Sequence, residues 1–277
     1  MNRKDKITNK VIKDFGLEWK RFNQSNVSDK ENKYLFNKYF ENFPWKKLNS
    51  NSVGMDVGCG SGRWTKFVAR RVKKIYCIEP SNSIEIAKIN LKEFNNCEFI
   101  NSKIEEIDLE NNSLDFGYSL GVLHHVIDTI KALKICNNKL KKNAPFLVYL
   151  YYNFENKPLW YKIIWNLSNF FRIIISRLPY VIKIFVCDLI AILVYLPFSR
   201  IAKIFYNLGF DTKNFVLSSY MNASFTILRN DSLDRFGTHL EKRYNKKEIA
   251  DLLYQSGFDR IKFNDSPPYW TFICYKK

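Results

Sequence analysis

The stretch Met55-Asp56-Val57-Gly58-Cys59-Gly60-Ser61-Gly62 decides the reading of this chain. It closes an apolar run, Val53 to Val57, and leads into an amphipathic one, Arg63 to Arg71, so it reads as strand, glycine turn and helix in order. Glycine permits the sharp backbone turn and lets a ligand lie against main chain with no Cβ in the way. A dinucleotide fingerprint is spaced G-x-G-x-x-G and seats a pyrophosphate at the helix N-terminus. Here the spacing is G-x-G-x-G, with Asp56 two residues before the first glycine. A carboxylate there repels a pyrophosphate but suits a ligand carrying ammonium and sulfonium centres. On these eight residues alone, a plain β–α turn remains the alternative.

Outward from the turn, the next apolar run, Ile75 to Ile78, ends at Glu79. An acid about twenty residues past a glycine turn can accept both hydroxyls of a ribose. Glu98 to Ile100, Leu114 to Ser119 and Pro145 to Tyr152 read as further strands, with helices over Ser83 to Phe94 and Asp128 to Lys141 between them. Strand and helix alternating in this way imply a parallel sheet covered on both faces, with right-handed crossovers. After Tyr152 the alternation stops and resumes late. Asn245 and Glu248 form a capping box, Gly257 lies past the end of that helix, and Phe258 to Phe263 and Tyr269 to Tyr275 read as closing strands. The fold class is therefore α/β, a doubly wound, seven-stranded, Rossmann-like sheet with a helical insertion after the fifth strand. The expected organisation is an N-terminal helical lid over residues 1–50, including a helix from Asp29 to Phe43 that Pro44 ends. The main domain follows over 51–152 and 231–277, and the insertion over 153–230.

Composition bounds the rest. The 277 residues are 46% hydrophobic, enough for one α/β domain with an insertion, and carry a formal net charge of +17. That charge fits a polyanion or an anionic membrane face, and equally a solvated surface of lysines in a Lys-, Asn- and Ile-rich sequence. The six cysteines are scattered without a metal-type pair, which suits reduced thiols and a cytoplasmic setting. Met1 to Asp14 is polar and charged and has no apolar signal-like core.

Taken together, the glycine turn, Glu79-Pro80-Ser81, Ser102 to Ile107 and Ser119-Leu120-Gly121-Val122-Leu123-His124-His125-Val126 resemble the core of the class I S-adenosylmethionine-dependent methyltransferases. The resemblance is to the small-molecule branch that includes the ubiquinone/menaquinone methyltransferases. It implies S-adenosylmethionine as cofactor. By position it implies Asp56, Gly58, Gly60 and Gly62 around the methionine part and Glu79 on the ribose. Lys103 and Ile104 would lie at the adenine, and Ser119 and Leu120 on the methionine side. Lys103 departs from the pattern, since the family usually has an acid there to accept from the adenine amino group and lysine only donates. Phe15 to Trp19, Arg235 to Thr238 and Leu240 to Arg243 resemble a bacterial subgroup of the same family.

Methyl transfer needs alignment of nucleophile, methyl and sulfur, and sometimes a base. His124 and His125 stand just beyond the fourth strand and are the candidate catalytic residues, with capping and packing as the alternative role. Tyr149 and Tyr151 leave the fifth strand on one face near the same edge. Arg235, His239 and Arg243 are candidate acceptor or anion contacts.

Within the insertion, Lys162, Asn166, Asn169 and Arg172 fall on one helical stripe of an otherwise apolar segment, and Ile184 to Leu196 is nearly all apolar. Two readings fit: a lid that builds an apolar acceptor pocket, or a helix lying in an anionic membrane interface. The lid is favoured, with membrane contact as an added role and a peripheral place at the inner membrane face. Both favour a small-molecule, apolar or lipid-linked acceptor. An RNA substrate is disfavoured because no RNA-binding module and no Asn/Asp-Pro-Pro-Tyr/Phe signature stands at the fourth strand. A non-catalytic methyltransferase-like scaffold is disfavoured by the intact glycines and ribose acid.

Overall fold

Short runs of β-branched, aromatic and sulfur-bearing residues, five of them followed by Gly, Glu or Asn, give the chain its sheet. In the computed structural model, which describes residues 3–23 and 27–277, these are β1 (Val53–Val57), β2 (Lys74–Ile78), β3 (Cys97–Ile100), β4 (Phe116–Leu120), β5 (Pro145–Tyr149), β6 (Phe258–Phe263) and β7 (Thr271–Lys276). Their order is β3-β2-β1-β4-β5-β7-β6. The first five pair in parallel and β7 runs antiparallel to both β5 and β6. Strand order reverses between β1 and β4, and the carboxyl ends of strands at such a reversal are where open α/β sheets place a ligand.

Strand alternation sorts the sheet's side chains into two cores. Met55 and Val57 join Ile78, Leu133, Phe146 and Phe272 on one face, while Ile75, Phe116, Tyr118 and Leu147 meet Phe36 and Phe40 on the other. Helices α1 (Arg3–Arg21), α2 (Asp29–Tyr39), α3 (Thr65–Val68), α4 (Ser83–Asn90) and α5 (Thr129–Lys139) cover these faces. Several elements are shorter than the sequence suggests. The expected helix over Arg63 to Arg71 starts at Thr65 and tightens to a 3-10 turn at Ala69–Arg71. The fourth strand begins at Phe116 because Leu114 only bridges to Leu140, and the fifth ends at Tyr149, past which Tyr152 bridges to Tyr244. Asp128 is the N-cap of α5, accepting from Lys131 N at 2.9 Å.

The chain divides into two compact units. The first takes residues Asn32–Asn153 and Leu240–Lys277 with the N-terminal helix; the second takes Phe154–His239 with a few residues before Asn32. The second unit is helical: α6 (Leu159–Ile175), α7 (Tyr180–Ile190), α8 (Leu196–Asn207) and α9 (Phe225–Gly237). A π-turn at Ala191–Tyr195 joins α7 to α8 into one helix from Tyr180 to Asn207, long and apolar enough by length and composition to cross a membrane.

The polarity of these helices is inverted. On α6, Lys162, Ser168, Asn169 and Arg172 are partly covered, while Ile163, Leu167, Phe171 and Ile174 are exposed. Inside the unit, Arg172 donates to the Thr238 carbonyl at 3.0 Å, and Arg235 to Ser168 Oγ at 3.2 Å. Asp188 of α7 takes a two-pronged contact from Arg229 of α9, at 3.0 and 2.8 Å. The chain returns to the first unit through α10 (Lys246–Gln255), whose Asn245 and Glu248 form the expected capping box.

Candidate active site

The glycine turn leaves β1 and bends back in the left-handed region at three positions, with φ of 75° at Gly58, 54° at Gly60 and 77° at Gly62. A side chain there would be strained, and it would also collide. A Cβ on Gly58 would fall 2.4 Å from Val122, one on Gly60 2.9 Å from the Trp19 indole, and one on Gly62 2.7 Å from Leu91.

Glu79 directly follows β2, with its carboxylate against this turn. One oxygen accepts from Gly60 N at 3.1 Å and the other from Ser81 N at 3.0 Å. Asn101 holds the same bend by donating to the Glu79 and Ser81 carbonyls at 2.8 and 3.3 Å. Each carboxylate oxygen keeps a further lone pair, so the group can accept two hydroxyls without giving up its backbone anchors. Burial raises its pKa, against the pull of these hydrogen bonds.

Asp56 is the penultimate residue of β1. Its Oδ2 accepts from Thr65 Oγ1 at 2.6 Å, tying the end of β1 to the start of α3. Burial lifts its pKa to about 7, with the Glu79 charge adding to the rise while the Thr65 and Tyr118 hydroxyls oppose it. Two buried carboxyls close to one turn make its surroundings favour a cation. That donor set fits S-adenosylmethionine: cation-favouring carboxyls, a diol acceptor at Glu79, and left-handed glycines where backbone can face a ligand.

The remaining sites expected on the donor side are spread along the same sheet edge. Ser119 is fully buried and donates to the Val57 carbonyl at 3.0 Å, joining the ends of β4 and β1. Leu120 ends β4 beside it, half-buried against the aromatic core. Beyond β3, Ile104 is buried in the sheet's other core, whereas the Lys103 ammonium turns outward to within 4.0 Å of Glu106. The structure thus brings Asp56, Gly58, Gly60, Gly62 and Glu79 together, and leaves Lys103 with only its backbone near the strand end.

Beyond β4, the two histidines sit in an aromatic nest. His124 stacks on Tyr151 with ring centroids 3.8 Å apart and lies 4.0 Å from His125. Tyr149 faces both Tyr151 and Tyr39, and Tyr39 packs on Trp64. Both ring nitrogens of His124 are buried without a hydrogen-bond partner. Burial holds its pKa well below the usual imidazole value, helped by His125 and Arg243, so the ring is neutral at physiological pH. His125 Nδ1 lies 2.6 Å from the Leu240 carbonyl, so that nitrogen carries the proton and donates. Arg243, a candidate anion contact from sequence, pairs with Glu241 at 2.7 Å and donates to the Tyr152 carbonyl at 3.2 Å.

Sequence reasoning gave residues 1–50 a lid role but named no site residue in α1. Phe15 packs on His125 with centroids 4.9 Å apart, Gly16 meets Ser81, and Trp19 covers Gly60. These three residues lie within the aromatic segment Phe15 to Trp19, and their spacing of one and three puts them on adjoining sides of one helix. Thr65, Tyr118 and Asn101, which hold the acids, carried no sequence signal, because each works through a contact across strands.

The strand order with its antiparallel β7, and the acid-led glycine turn facing a strand-end glutamate, define a class I S-adenosylmethionine-dependent methyltransferase domain. The family model described as a methyltransferase domain matches residues 55–148. A Methanocaldococcus jannaschii protein described as a cobalt-precorrin-6B C(15)-methyltransferase (decarboxylating) is 37% identical over 93 residues, 32% of this chain and 50% of that protein. The chain therefore spans half the length of that relative. Among solved structures, a Bacillus halodurans protein described as a methyltransferase is similar at a TM-score of 0.50 and 12% identity, covering 82% of this chain and 71% of that one. A Nostoc punctiforme protein described as an O-methyltransferase reaches 0.50 at 13% identity, over 87% and 57%. At these identities the likeness is one of fold.

Proposed function

We propose that this chain transfers a methyl group from S-adenosylmethionine to a small, apolar or lipid-linked acceptor. The observation that carries the donor side is Glu79, buried, fixed by two backbone N–H groups across the glycine turn, and with lone pairs to spare for a ribose diol. In this reading Glu79 holds the ribose and the turn from Gly58 to Gly62 faces the methionine part. Ser119 and Leu120 border it at the end of β4, and backbone around Lys103 and Ile104 meets the adenine. Bound there, the cofactor supplies a sulfonium methyl for in-line displacement, with the carbon–sulfur electron pair leaving on sulfur.

The acceptor side is assigned from the aromatic nest. Tyr39, Trp64, Tyr149 and Tyr151 offer apolar faces, and a neutral imidazole, His124, offers the one unsatisfied polar group among them. His124 takes the proton of the acceptor as the new bond to carbon forms, and His125, fixed by the Leu240 carbonyl, holds it in place. The low pKa of His124 keeps it ready to accept a proton across the neutral range, so activity falls only as pH drops well below 6.5. The free cysteines, nearly all buried, support a cytoplasmic location.

The test is transfer of labelled methyl over fractionated lipid, tetrapyrrole, glycan and RNA pools, with cofactor binding followed by calorimetry. Label in an apolar or lipid fraction is expected, with a His124→Asn variant slowed by about 100-fold in kcat at unchanged cofactor affinity. Label only in RNA overturns the acceptor class. Undiminished cofactor binding by Glu79→Ala overturns the ribose contact.

A further inference from the structure

The second unit wears its polarity inside out, and that inversion says what covers it. A helix of a soluble unit turns its apolar stripe inward and its polar stripe to water. On α6 the polar residues Lys162, Asn169 and Arg172 are partly covered, Asn166 alone of that stripe being exposed, and the apolar side is bare through Ile163, Leu167, Phe171 and Ile174. The long helix of α7 and α8 repeats the pattern: Lys183 and Ser199 are buried, while Phe185 and Leu193 are 63% and 66% exposed. Between Leu159 and Phe210, all of it among the described residues, the exposed charged side chains are Arg177 and Lys203, both cationic. A monomer in water does not keep so large a continuous apolar face.

We propose that this face of the second unit seats in the surface of a bilayer containing anionic phospholipid, as a monotopic anchor lying in the membrane plane. The orientation follows from α9. It packs against both α7 and α6, through Arg229 on Asp188 of α7, Ser232 on the Cys187 carbonyl at 2.8 Å, and Arg235 on Ser168 of α6. A spanning helix would meet lipid around most of its circumference, whereas the long helix keeps a covered stripe through Lys183, Cys187, Ala191, Tyr195, Ser199 and Ala202. Such a layer presents one apolar face to acyl chains and keeps its charged contacts on the protein side. The lipid charge follows from complementarity. The segment from Leu159 to Phe210 carries two exposed cations and no exposed acid, on a chain of net charge +17, and each basic residue near an anionic surface adds to the attraction. The inference goes beyond the proposed methyl transfer and does not depend on it.

The test is flotation of the full-length chain with vesicles of phosphatidylcholine alone or with one-fifth phosphatidylglycerol. The chain is expected to float with the anionic vesicles, to bind neutral ones about ten-fold more weakly, and to stay bound in high salt once seated. Leu167→Glu combined with Phe171→Glu removes two exposed apolar contacts and is expected to lower partitioning at least ~10-fold. Phe185→Glu with Leu193→Glu, on the other helix, is expected to do the same. Both pairs lie on the exposed face, and unchanged circular dichroism and cofactor binding show that each variant is folded. Failure to float with either vesicle overturns the proposal. So does a stable dimer in detergent-free buffer that the same substitutions return to monomer, since the face then belongs to a second copy.

Discussion

At the residue scale, the pair Asp56 and Glu79 shows two acids with different tasks at one turn. Glu79 is anchored by backbone N–H groups and faces the turn; Asp56 is tied to Thr65 and is the more deeply hidden. The sequence places both acids correctly at strand ends, because spacing along a strand is a local property. It does not reveal that Asp56 reaches toward α3, because that contact depends on how the helix crosses the strand. Burial raises the Asp56 pKa from 3.8 to about 7, so between those values the folded protein holds a proton that the unfolded chain has released. Stability therefore decreases as pH rises from about 4 to about 7 and levels off above. Asp56→Asn, which keeps an acceptor for Thr65, is expected to flatten that slope and to be the more stable protein at pH 8, by an order of magnitude of 2 kcal/mol. Urea midpoints from pH 4 to 8 measure it. Parallel curves for the two proteins would place the titrating group elsewhere.

At the scale of elements, the strands and their order were legible because buried parallel strands are short apolar runs, and the capping box of α10 because its signal lies within four residues. Boundaries were less so. The segment after the glycine turn reads as a long amphipathic helix but forms only Thr65–Val68 before tightening, since the backbone has first to leave the left-handed bend at Gly62. The N-terminal segment was expected as a lid, but the contacts of α1 were not legible: its partners, Ser81, Gly60 and His125, lie between 41 and 110 residues away along the chain and share no periodicity with it. Its approach depends on Gly16, where an added Cβ would already stand 3.3 Å from Ser81 Cβ. A larger side chain has to lift the helix. Gly16→Leu is expected to weaken S-adenosylmethionine binding by about ten-fold while moving the thermal midpoint of the sheet domain by only a few degrees. Trp19 supplies the readout, because an indole lying on Gly60 changes emission when the turn is occupied. Identical fluorescence titrations for the two proteins would mean that α1 does not cover the cofactor turn.

At the scale of the whole molecule, the chain joins a sheet domain with a conventional core to a helical unit that has its apolar side outward. The sequence showed that the inserted helices are amphipathic, but a hydropathy pattern carries no information on which stripe turns inward. Only the partners of Arg172, Asp188 and Arg200 decide it, the last donating to the Met221 and Ala223 carbonyls at 2.9 Å. Two units stabilised by different surroundings have separate linkage relations. A ligand that binds one native unit raises the melting of that unit by mass action, roughly 2.7 kcal/mol at one hundred times its Kd. Calorimetric unfolding is therefore expected to show two transitions. S-adenosylmethionine raises the one reported by near-ultraviolet signals of the sheet domain, and anionic vesicles raise the one lost when Leu167 and Phe171 are made acidic. A single transition moved equally by both additions would show one cooperative body, and the helical unit would then owe its stability to the sheet domain rather than to lipid.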